Sequence, residues 1–165
     1  PYSLLSVPED KNLEFAIKIY DERDGFTKRL DHFKVGDSLS VSDSKGKMNY
    51  KGEGLFICAG SGVVPLYAIS KNADNSNNFF IYSNKTKEDI IFEKELKKLF
   101  GDKLILTLTQ EKRNSYSHGR INAEMFKGKT DGFVYLCGSI IFIREMKNIL
   151  RGLGVKEEMF VSELG

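Results

Sequence analysis

Beyond residue 50, short continuous apolar runs alternate with segments in which apolar residues recur every three or four positions. The short runs predict strands over 55–58, 79–82, 104–108, 133–136 and 159–161. The segments between several of these runs predict helices. Strands that alternate with helices predict an α/β fold with a doubly wound, five-stranded parallel sheet, which binds ligands at the carboxyl ends of its strands.

Two of the predicted helices have marked ends. The first begins after Thr86, which forms a capping-box pattern with Asp89, and it ends at Gly101. The apolar face of this helix consists of Phe92, Leu96 and Leu99. The second helix begins at Ser139 and stops at Gly152.

The first third of the chain has a different pattern. Apolar residues occupy every second position over 13–19, which predicts a half-buried strand. Further strands are predicted over 2–7 and 35–41, with a turn at Pro8 and a short helix over 27–33. Short strands joined by turns predict part of an antiparallel β barrel or sandwich.

Length and pattern together predict two domains. A chain of 165 residues can form one domain or two small ones. Because the pattern changes near residue 50, we expect one domain over 1–50 and another over 51–165. Pro1 is not an initiator methionine, so we also expect this chain to be a fragment of a longer protein.

Composition excludes several classes of protein. The net charge of +2 is too small to indicate binding to nucleic acid or a membrane surface, and no apolar run reaches the roughly 20 residues of a membrane-spanning helix. The two cysteines, Cys58 and Cys137, are too few for a disulfide framework or a protein-ligated iron–sulfur cluster. We expect no metal site and a cytoplasmic location.

Two loops carry the candidate chemistry. Gly60, Ser61 and Gly62 follow the strand over 55–58 and precede a helix, so unobstructed N–H groups could bind a dinucleotide pyrophosphate. A tight turn without a ligand is the alternative interpretation. Cys137 and Gly138 follow the strand over 133–136 in the same arrangement.

These loops and two earlier motifs together resemble the ferredoxin–NADP reductase superfamily. Its members join a flavin-binding antiparallel barrel to a nicotinamide-dinucleotide domain. Pro1-Tyr2-Ser3 is similar to the end of the family's Arg-x-Tyr-Ser flavin motif, and Gly25-Phe26-Thr27 to its flavin-pyrophosphate loop. Residues 60–65 are similar to its nicotinamide-nucleotide loop, and Cys137-Gly138 to its Cys-Gly-Pro motif.

The resemblance implies a role for each matching residue. Tyr2 would pack on the flavin, and Ser3 would form a hydrogen bond near the flavin N5. The flavin pyrophosphate would be held by Gly25, Phe26 and Thr27. The nicotinamide dinucleotide would be held by Gly60, Ser61, Gly62, Val63, Pro65, Ser83, Asn84, Cys137 and Gly138. Cys137 would lie beside the nicotinamide C4, and Glu163 near the flavin, so the catalytic candidates are Ser3, Cys137 and Glu163.

Each assignment has a simpler alternative. Tyr2 and Ser3 could be strand residues without a ligand, and Thr27 an ordinary helix N-cap. Cys137 could be a small hydrophobic residue of a strand, and Glu163 a solvated residue near the end of the chain.

The chain also departs from the family pattern. The arginine of the flavin motif would precede Pro1, and the first strands of the barrel are absent. Ser139 replaces the usual proline, Val64 a frequent threonine or alanine, and Leu164 a common aromatic residue. These departures predict that the flavin is held less firmly by this chain than by a longer one.

The resemblance implies a flavin-dependent oxidoreductase with FAD and either NADH or NADPH as cofactors. We favour NADH slightly, because residues 107–111 lack the arginine that many NADPH-using relatives carry there. The electron acceptor would be a separate protein or a small molecule. The alternatives are a free-flavin reductase and a non-catalytic nucleotide-binding regulatory module.

Overall fold

A parallel sheet forms the centre of the protein. The computed structural model describes residues 2–6, 9–19, 24–43 and 45–163. The strands of the sheet are β1 (Gly54–Ala59), β2 (Phe79–Asn84), β3 (Leu104–Leu108), β4 (Ser117–His118), β5 (Phe133–Cys137) and β6 (Phe160–Ser162). They lie in the order β4-β3-β2-β1-β5-β6, and all neighbours are parallel.

Helices and short 3₁₀ turns connect the strands. The α-helices of the described residues are α1 (Phe26–Leu30), α2 (Val63–Ser70), α3 (Glu93–Phe100) and α4 (Ile140–Gly152). The 3₁₀ turns cover Gly60–Gly62, Lys87–Asp89, Gly101–Lys103, Ala123–Phe126 and Glu157–Met159. No helix in these parts of the chain is long and apolar enough to cross a bilayer.

The sheet is covered on both faces, which explains the continuous apolar run in β1. Phe56 and Cys58 pack in one core with α2 and α3, whereas Leu55 and Ile57 pack in a second core with α4. All four side chains are fully buried. A strand buried on both faces has no polar alternation, so the predicted parallel sheet is confirmed.

One strand was not predicted. β4 pairs with β3 through Thr107 with Ser117 and Leu108 with His118, and the five strands predicted from the sequence do not include it. A strand of two residues is too short to show a periodic pattern, so the predicted number of five strands is wrong: the described sheet has six.

The helix predicted after Thr86 begins later than expected. The capping box of Thr86 and Asp89 is present, but it caps the 3₁₀ turn Lys87–Asp89. Phe92 then adopts a φ of +58° as the N-cap of α3. Its ring stacks on that of Tyr67 with centroids 4.5 Å apart, and this packing offsets the cost of an unfavourable backbone conformation. The predicted end at Gly101 is confirmed, since Gly101 is the C-cap of α3.

The predicted ends of α4 are confirmed. The Ser139 hydroxyl accepts a hydrogen bond from the Phe142 N–H, and the helix ends with Gly152. The helix buries Ile143, Met146 and Leu150 against the sheet. Its position on the opposite face from α2 and α3 makes the sheet doubly wound.

The N-terminal segment (residues 2–50) differs most from the prediction. The described residues of the strands predicted over 2–7, 13–19 and 35–41 do not form regular strands, and their described pairing is a single antiparallel bridge between Leu4 and Phe15. The predicted helix over 27–33 is shorter and begins earlier, as α1. Leu13, Val35 and Val41 are exposed, so their alternating pattern has no covering layer to stabilise a sheet. The barrel therefore stays a prediction.

Some predicted features fall outside the described residues. These are Pro1 of the flavin motif, Val7 and Pro8 at the first strand end and turn, and Leu164.

Candidate functional site

The turn after β1 contains two glycines with different structural roles. Gly60 has a φ of +54°, in the left-handed region that other residues rarely adopt. Gly62 has an ordinary helical φ of −62°, but a Cβ at this position would lie 2.5 Å from the carbonyl oxygen of Cys137. Gly60 is therefore required by the shape of the turn, and Gly62 by its contact with the end of β5.

The ends of β1 and β5 form the crevice of the sheet. Cys58 and Cys137 are paired neighbours in the register of these two strands. After β1 the chain enters α2 on one face, and after β5 it enters α4 on the other face. Because the two connections leave in opposite directions, an open crevice forms at the carboxyl ends of these strands, where ligands of such sheets bind.

A cleft of about 330 Å³ lies at this crevice, between the N-terminal segment and the sheet. The cleft wall on the side of the N-terminal segment is formed by Tyr2, Ser3, Ala16, Ile17, Lys18 and Thr27. The side of the sheet consists of Ala59, Ser61, Gly62, Val64, Pro65, Cys137, Gly138 and Ser139. The structure therefore brings together the first flavin motif, the Gly-x-Gly turn and the cysteine–glycine loop, which are far apart in sequence.

Several predicted site residues lie near this cleft but do not line it. Phe26 has its ring centroid 5.8 Å from that of Tyr2, at an angle of 33°. Gly25 is the N-cap of α1. Gly60 begins the turn whose later residues line the cleft, and Val63 is fully buried in the core.

Ser83 and Asn84 are also absent from the cleft wall. They form the end of β2 and are buried. The Asn84 carbonyl accepts a hydrogen bond from the Thr109 N–H at 2.9 Å. The buried side-chain amide of Asn84 interacts with the Tyr82 hydroxyl on the same strand.

Glu163 lies on the border of a second cleft, of about 610 Å³, which is otherwise lined by residues of α4 and by Glu157. One Glu163 carboxylate oxygen is 3.5 Å from the Lys47 nitrogen, whose N–H donates to it. The Glu163 charge still acts on Cys137. The predicted acid therefore lies near Cys137 without lining the first cleft.

Lys18 is a cleft residue that the sequence prediction missed. Its ammonium lies 3.5 Å from the Asp89 carboxylate, which connects the N-terminal segment to the loop after β2. Among the described residues that line the cleft, Lys18 carries the cationic side chain, so it can bind an anionic ligand. The available signal was its alternation with Ile17 and Ile19, which puts Lys18 on the polar side of the predicted strand.

The Cys137 thiol is uncharged at neutral pH. Burial, together with the Glu163 carboxylate, raises the pKa of Cys137 to about 11, although the Gly138 N–H opposes this shift. Burial also raises the pKa of Cys58. The reactive form of a cysteine is the thiolate, so neither thiol is a strong nucleophile here. Cys137 therefore contributes a small neutral surface to the cleft.

A group of charged residues joins the loops after β2 and β3. The Glu111 carboxylate accepts hydrogen bonds from the Lys87 N–H at 2.8 Å and from Arg113 Nε at 2.7 Å. These bonds lower the pKa of Glu111. The guanidinium of Arg113 is therefore paired with a carboxylate at this edge of the sheet.

Glu93, the first residue of α3, is held by three donors. Lys87, Lys97 and Tyr116 all donate hydrogen bonds to its carboxylate. Burial alone would raise the pKa of Glu93, but these hydrogen bonds outweigh it and lower the pKa to about 2.

We expect Glu93 to make unfolding depend on acid pH. Its folded pKa of about 2 lies below its ordinary value of 4.5, so its contribution is complete above pH 4.5 and is lost as the pH falls towards 2. Glu93→Gln should lower the free energy of unfolding at pH 7 by about 2 kcal/mol and reduce the loss of stability on acidification. Urea denaturation at several pH values measures both effects. The exposed Glu95→Gln on the same helix is the control, and an equal effect of the two variants would contradict this prediction.

Comparison with known proteins agrees with this geometry. The family model described as "Oxidoreductase NAD-binding domain" matches residues 56–148. "NADH-cytochrome b5 reductase 1" of Meyerozyma guilliermondii is 30% identical over 173 residues, which cover 92% of this chain and 60% of that protein. The chain thus spans less than two thirds of the length of curated relatives such as this one.

Two solved structures share the fold over nearly the whole chain. The CS-b5R domains of human Ncb5or in the NAD⁺ form align with a TM-score of 0.76 and 25% identity, covering 99% of this chain and 55% of that one. A ferredoxin NADP⁺ reductase from Neisseria gonorrhoeae with bound FAD and NADP aligns with a TM-score of 0.71 and 18% identity, covering 98% of this chain and 78% of that one.

The family match includes the Gly-x-Gly turn and the loop from Cys137 to Ser139, which meet at the cleft. The predicted resemblance is therefore confirmed. This chain belongs to the oxidoreductase NAD-binding domain family, within the ferredoxin–NADP reductase superfamily.

Proposed function

We propose that this chain is part of a flavin-dependent oxidoreductase that uses a nicotinamide dinucleotide to reduce a separate electron acceptor. The observation that carries this proposal is the cleft in which Tyr2 and Ser3 of the N-terminal segment lie with Gly62, Cys137 and Gly138 of the sheet. When bound, the cofactors supply transfer of a hydride from the nicotinamide C4 to the flavin N5 and onward transfer of single electrons. The residues of the chain supply binding, orientation and exclusion of water.

The sheet side of the cleft suits a dinucleotide. The Gly60–Gly62 turn leads directly into α2, so free backbone N–H groups meet at the positive end of a helix. Lys18 adds a positive charge on the opposite wall. These features support binding of the pyrophosphate between Lys18 and the turn, with the nicotinamide towards Cys137.

The side of the N-terminal segment suits a flavin ring. Tyr2 lines the cleft and is 46% exposed although it is aromatic, so its ring is available to a planar ligand. The Phe26 ring lies behind it, with centroids 5.8 Å apart. The Ser3 hydroxyl can donate or accept a hydrogen bond as the protonation of the ligand changes. Thr27 lies in the same wall. This arrangement supports FAD as the second cofactor.

The charge at the end of β3 supports NADH over NADPH. Glu111 keeps its negative charge and engages Arg113 in an ion pair. A 2′-phosphate bound near this edge would be repelled by the carboxylate and would compete with it for the guanidinium. The name of the Meyerozyma relative, an NADH-cytochrome b5 reductase, supports the same preference and suggests a haem protein as acceptor.

Anaerobic mixing of the FAD-loaded natural protein with NADH or NADPH tests this function. We expect NADH to bleach the flavin absorbance completely, and NADPH to do so with an apparent Kd about tenfold higher. A protein that binds FAD but is reduced by neither dinucleotide would contradict the proposed reductase. A protein that turns over added flavin without retaining any would be a free-flavin reductase instead.

A further inference from the structure

The hydroxyl of Tyr135 binds the linker (residues 51–53) between the N-terminal segment and β1. Tyr135 lies in the middle of β5 and is fully buried. Its oxygen accepts hydrogen bonds from the N–H groups of Lys51 at 2.8 Å and Gly52 at 3.1 Å. The same hydroxyl donates to the Gly52 carbonyl at 2.7 Å. One side chain of the sheet thus satisfies three backbone groups of the linker.

A second buried side chain binds the two residues that flank the linker. Asn78 is fully buried, and its side-chain oxygen accepts a hydrogen bond from the Gly54 N–H at 2.8 Å. Its nitrogen donates to the Tyr50 hydroxyl at 3.4 Å. The ring of Tyr50 is stacked on that of Tyr135, with centroids 5.9 Å apart. We call Tyr135 and Asn78 the linker clasp.

The N-terminal segment makes other polar contacts with the rest of the chain. The ammonium of Lys71, at the end of α2, donates a hydrogen bond to the Leu5 carbonyl at 2.9 Å, and two further contacts are longer and more exposed. The Lys18–Asp89 pair is 3.5 Å apart, and the Lys18 side chain is 52% exposed. The Lys47 N–H reaches Glu163 across 3.5 Å. Exposed ion pairs contribute little to rigidity, whereas a buried backbone group that loses its partner is costly. The linker clasp therefore constrains the border more strongly than these two contacts do.

We propose that Tyr135 is a positioning residue for hydride transfer, because it fixes the N-terminal segment relative to the strand that ends in the cleft. This inference rests on the proposed function. Tyr135 and Cys137 are two residues apart on β5, so their side chains lie on the same face of the sheet. The strand that holds the linker is therefore also the strand that supplies Cys137 to the cleft wall.

The linker clasp affects the alignment of the two cleft walls and does not affect the affinity of either wall for its cofactor. Ser3 and Tyr2 belong to the segment that the linker connects, whereas Gly62 and Cys137 belong to the sheet. If the linker loosens, the two walls keep their own contacts with ligands but lose their fixed separation. Hydride transfer depends steeply on such a separation, so the rate falls while affinity is retained.

Tyr135→Phe tests this inference, with Tyr82→Phe as a matched control. Tyr82 is also fully buried, on β2, but its hydroxyl interacts with Asn84 and Ile91 and makes no contact with the linker. In the FAD-loaded natural protein, Tyr135→Phe should slow flavin reduction at saturating NADH by about fivefold or more, with the Kd for NADH within about twofold. Tyr82→Phe should change the rate by less than about twofold. An unchanged rate in Tyr135→Phe, or equal slowing in both variants, would overturn the assignment.

Hydrogen exchange of the Lys51 and Gly52 amides provides a readout that does not require catalysis. We expect both amides to be protected in the wild type and in Tyr82→Phe, and to exchange about tenfold faster or more in Tyr135→Phe. Rapid exchange in the wild type would refute the clasp, even if Tyr135→Phe fails to fold. In that case Tyr50→Phe, which removes the weaker hydrogen bond to Asn78, is the milder variant. It should lower the rate of flavin reduction without changing the Kd for NADH. An unchanged rate in this variant would also refute the inference. Absence of NADH-driven reduction in the wild type would reject the proposed function, whereas amide protection reports on the clasp alone.

Discussion

Gly62→Ala should weaken dinucleotide binding and destabilise the fold. The new Cβ would lie 2.5 Å from the carbonyl oxygen of Cys137, 2.7 Å from its carbonyl carbon and 2.9 Å from the Gly138 nitrogen. These are backbone atoms, so the turn after β1 must move away from the end of β5. We expect the free energy of unfolding to fall by about 1–3 kcal/mol and the Kd for NADH to rise about tenfold or more. Chemical denaturation and fluorescence titration with NADH measure the two effects.

Gly152→Ala is the matched control for this substitution. Gly152 is the last residue of α4, and a Cβ there would meet no atom within 4 Å. Alanine favours a helix over glycine by up to about 1 kcal/mol, so this variant should be at least as stable as the wild type and bind NADH normally. If Gly62→Ala behaves like Gly152→Ala, the close approach of the two loops does not limit binding.

Cys137→Ser should slow hydride transfer more than it weakens the fold. Cys137 lines the cleft and has a neutral thiol, since burial raises its pKa to about 11. A hydroxyl is smaller, forms stronger hydrogen bonds and changes how a nicotinamide ring packs beside it. We expect flavin reduction by NADH to slow by about tenfold, with little change in the free energy of unfolding. Stopped-flow reduction and a denaturation curve on the same preparation measure these quantities.

Cys58→Ser is the control because Cys58 is the register neighbour of Cys137 and is fully buried. Burying a hydroxyl without a partner should destabilise the protein by about 1–3 kcal/mol, without changing the reduction rate of the folded fraction. If Cys137→Ser instead lowers stability and leaves the rate unchanged, Cys137 is a core residue and has no part in hydride transfer.

The sequence predicted the cleft residues that lie at or directly after the carboxyl end of a strand. Gly60 to Gly62 follow the apolar run of β1, and Cys137 ends the run of β5. Parallel strands bring their carboxyl ends to one edge, so local patterns were enough to expect these loops to meet. Lys18 was not predicted as a site residue, because no local motif marks it. Its place in the cleft wall depends on how the N-terminal segment packs against the sheet.

Local patterns failed where distant residues determine the backbone. The start of α3 shifted because Phe92 stacks on Tyr67 of another helix. β4 exists because β3 offers an edge to Ser117 and His118. The role of Tyr135 in binding the linker requires contacts across more than 80 residues of chain. None of these contacts leaves a periodic signal in the residues concerned.

The sequence by itself determined the parallel sheet, the main helices and the two loops that meet at its edge, because these depend on apolar periodicity and turn residues within short segments. Only the tertiary structure decided the remaining features. It separated the role of Gly60, a backbone conformation, from that of Gly62, a close approach to Cys137. It also showed that Lys18 lines the cleft and that the Tyr135 hydroxyl binds the linker. Both contacts join segments that are distant in sequence, and the packing of the whole chain sets the distance between such segments.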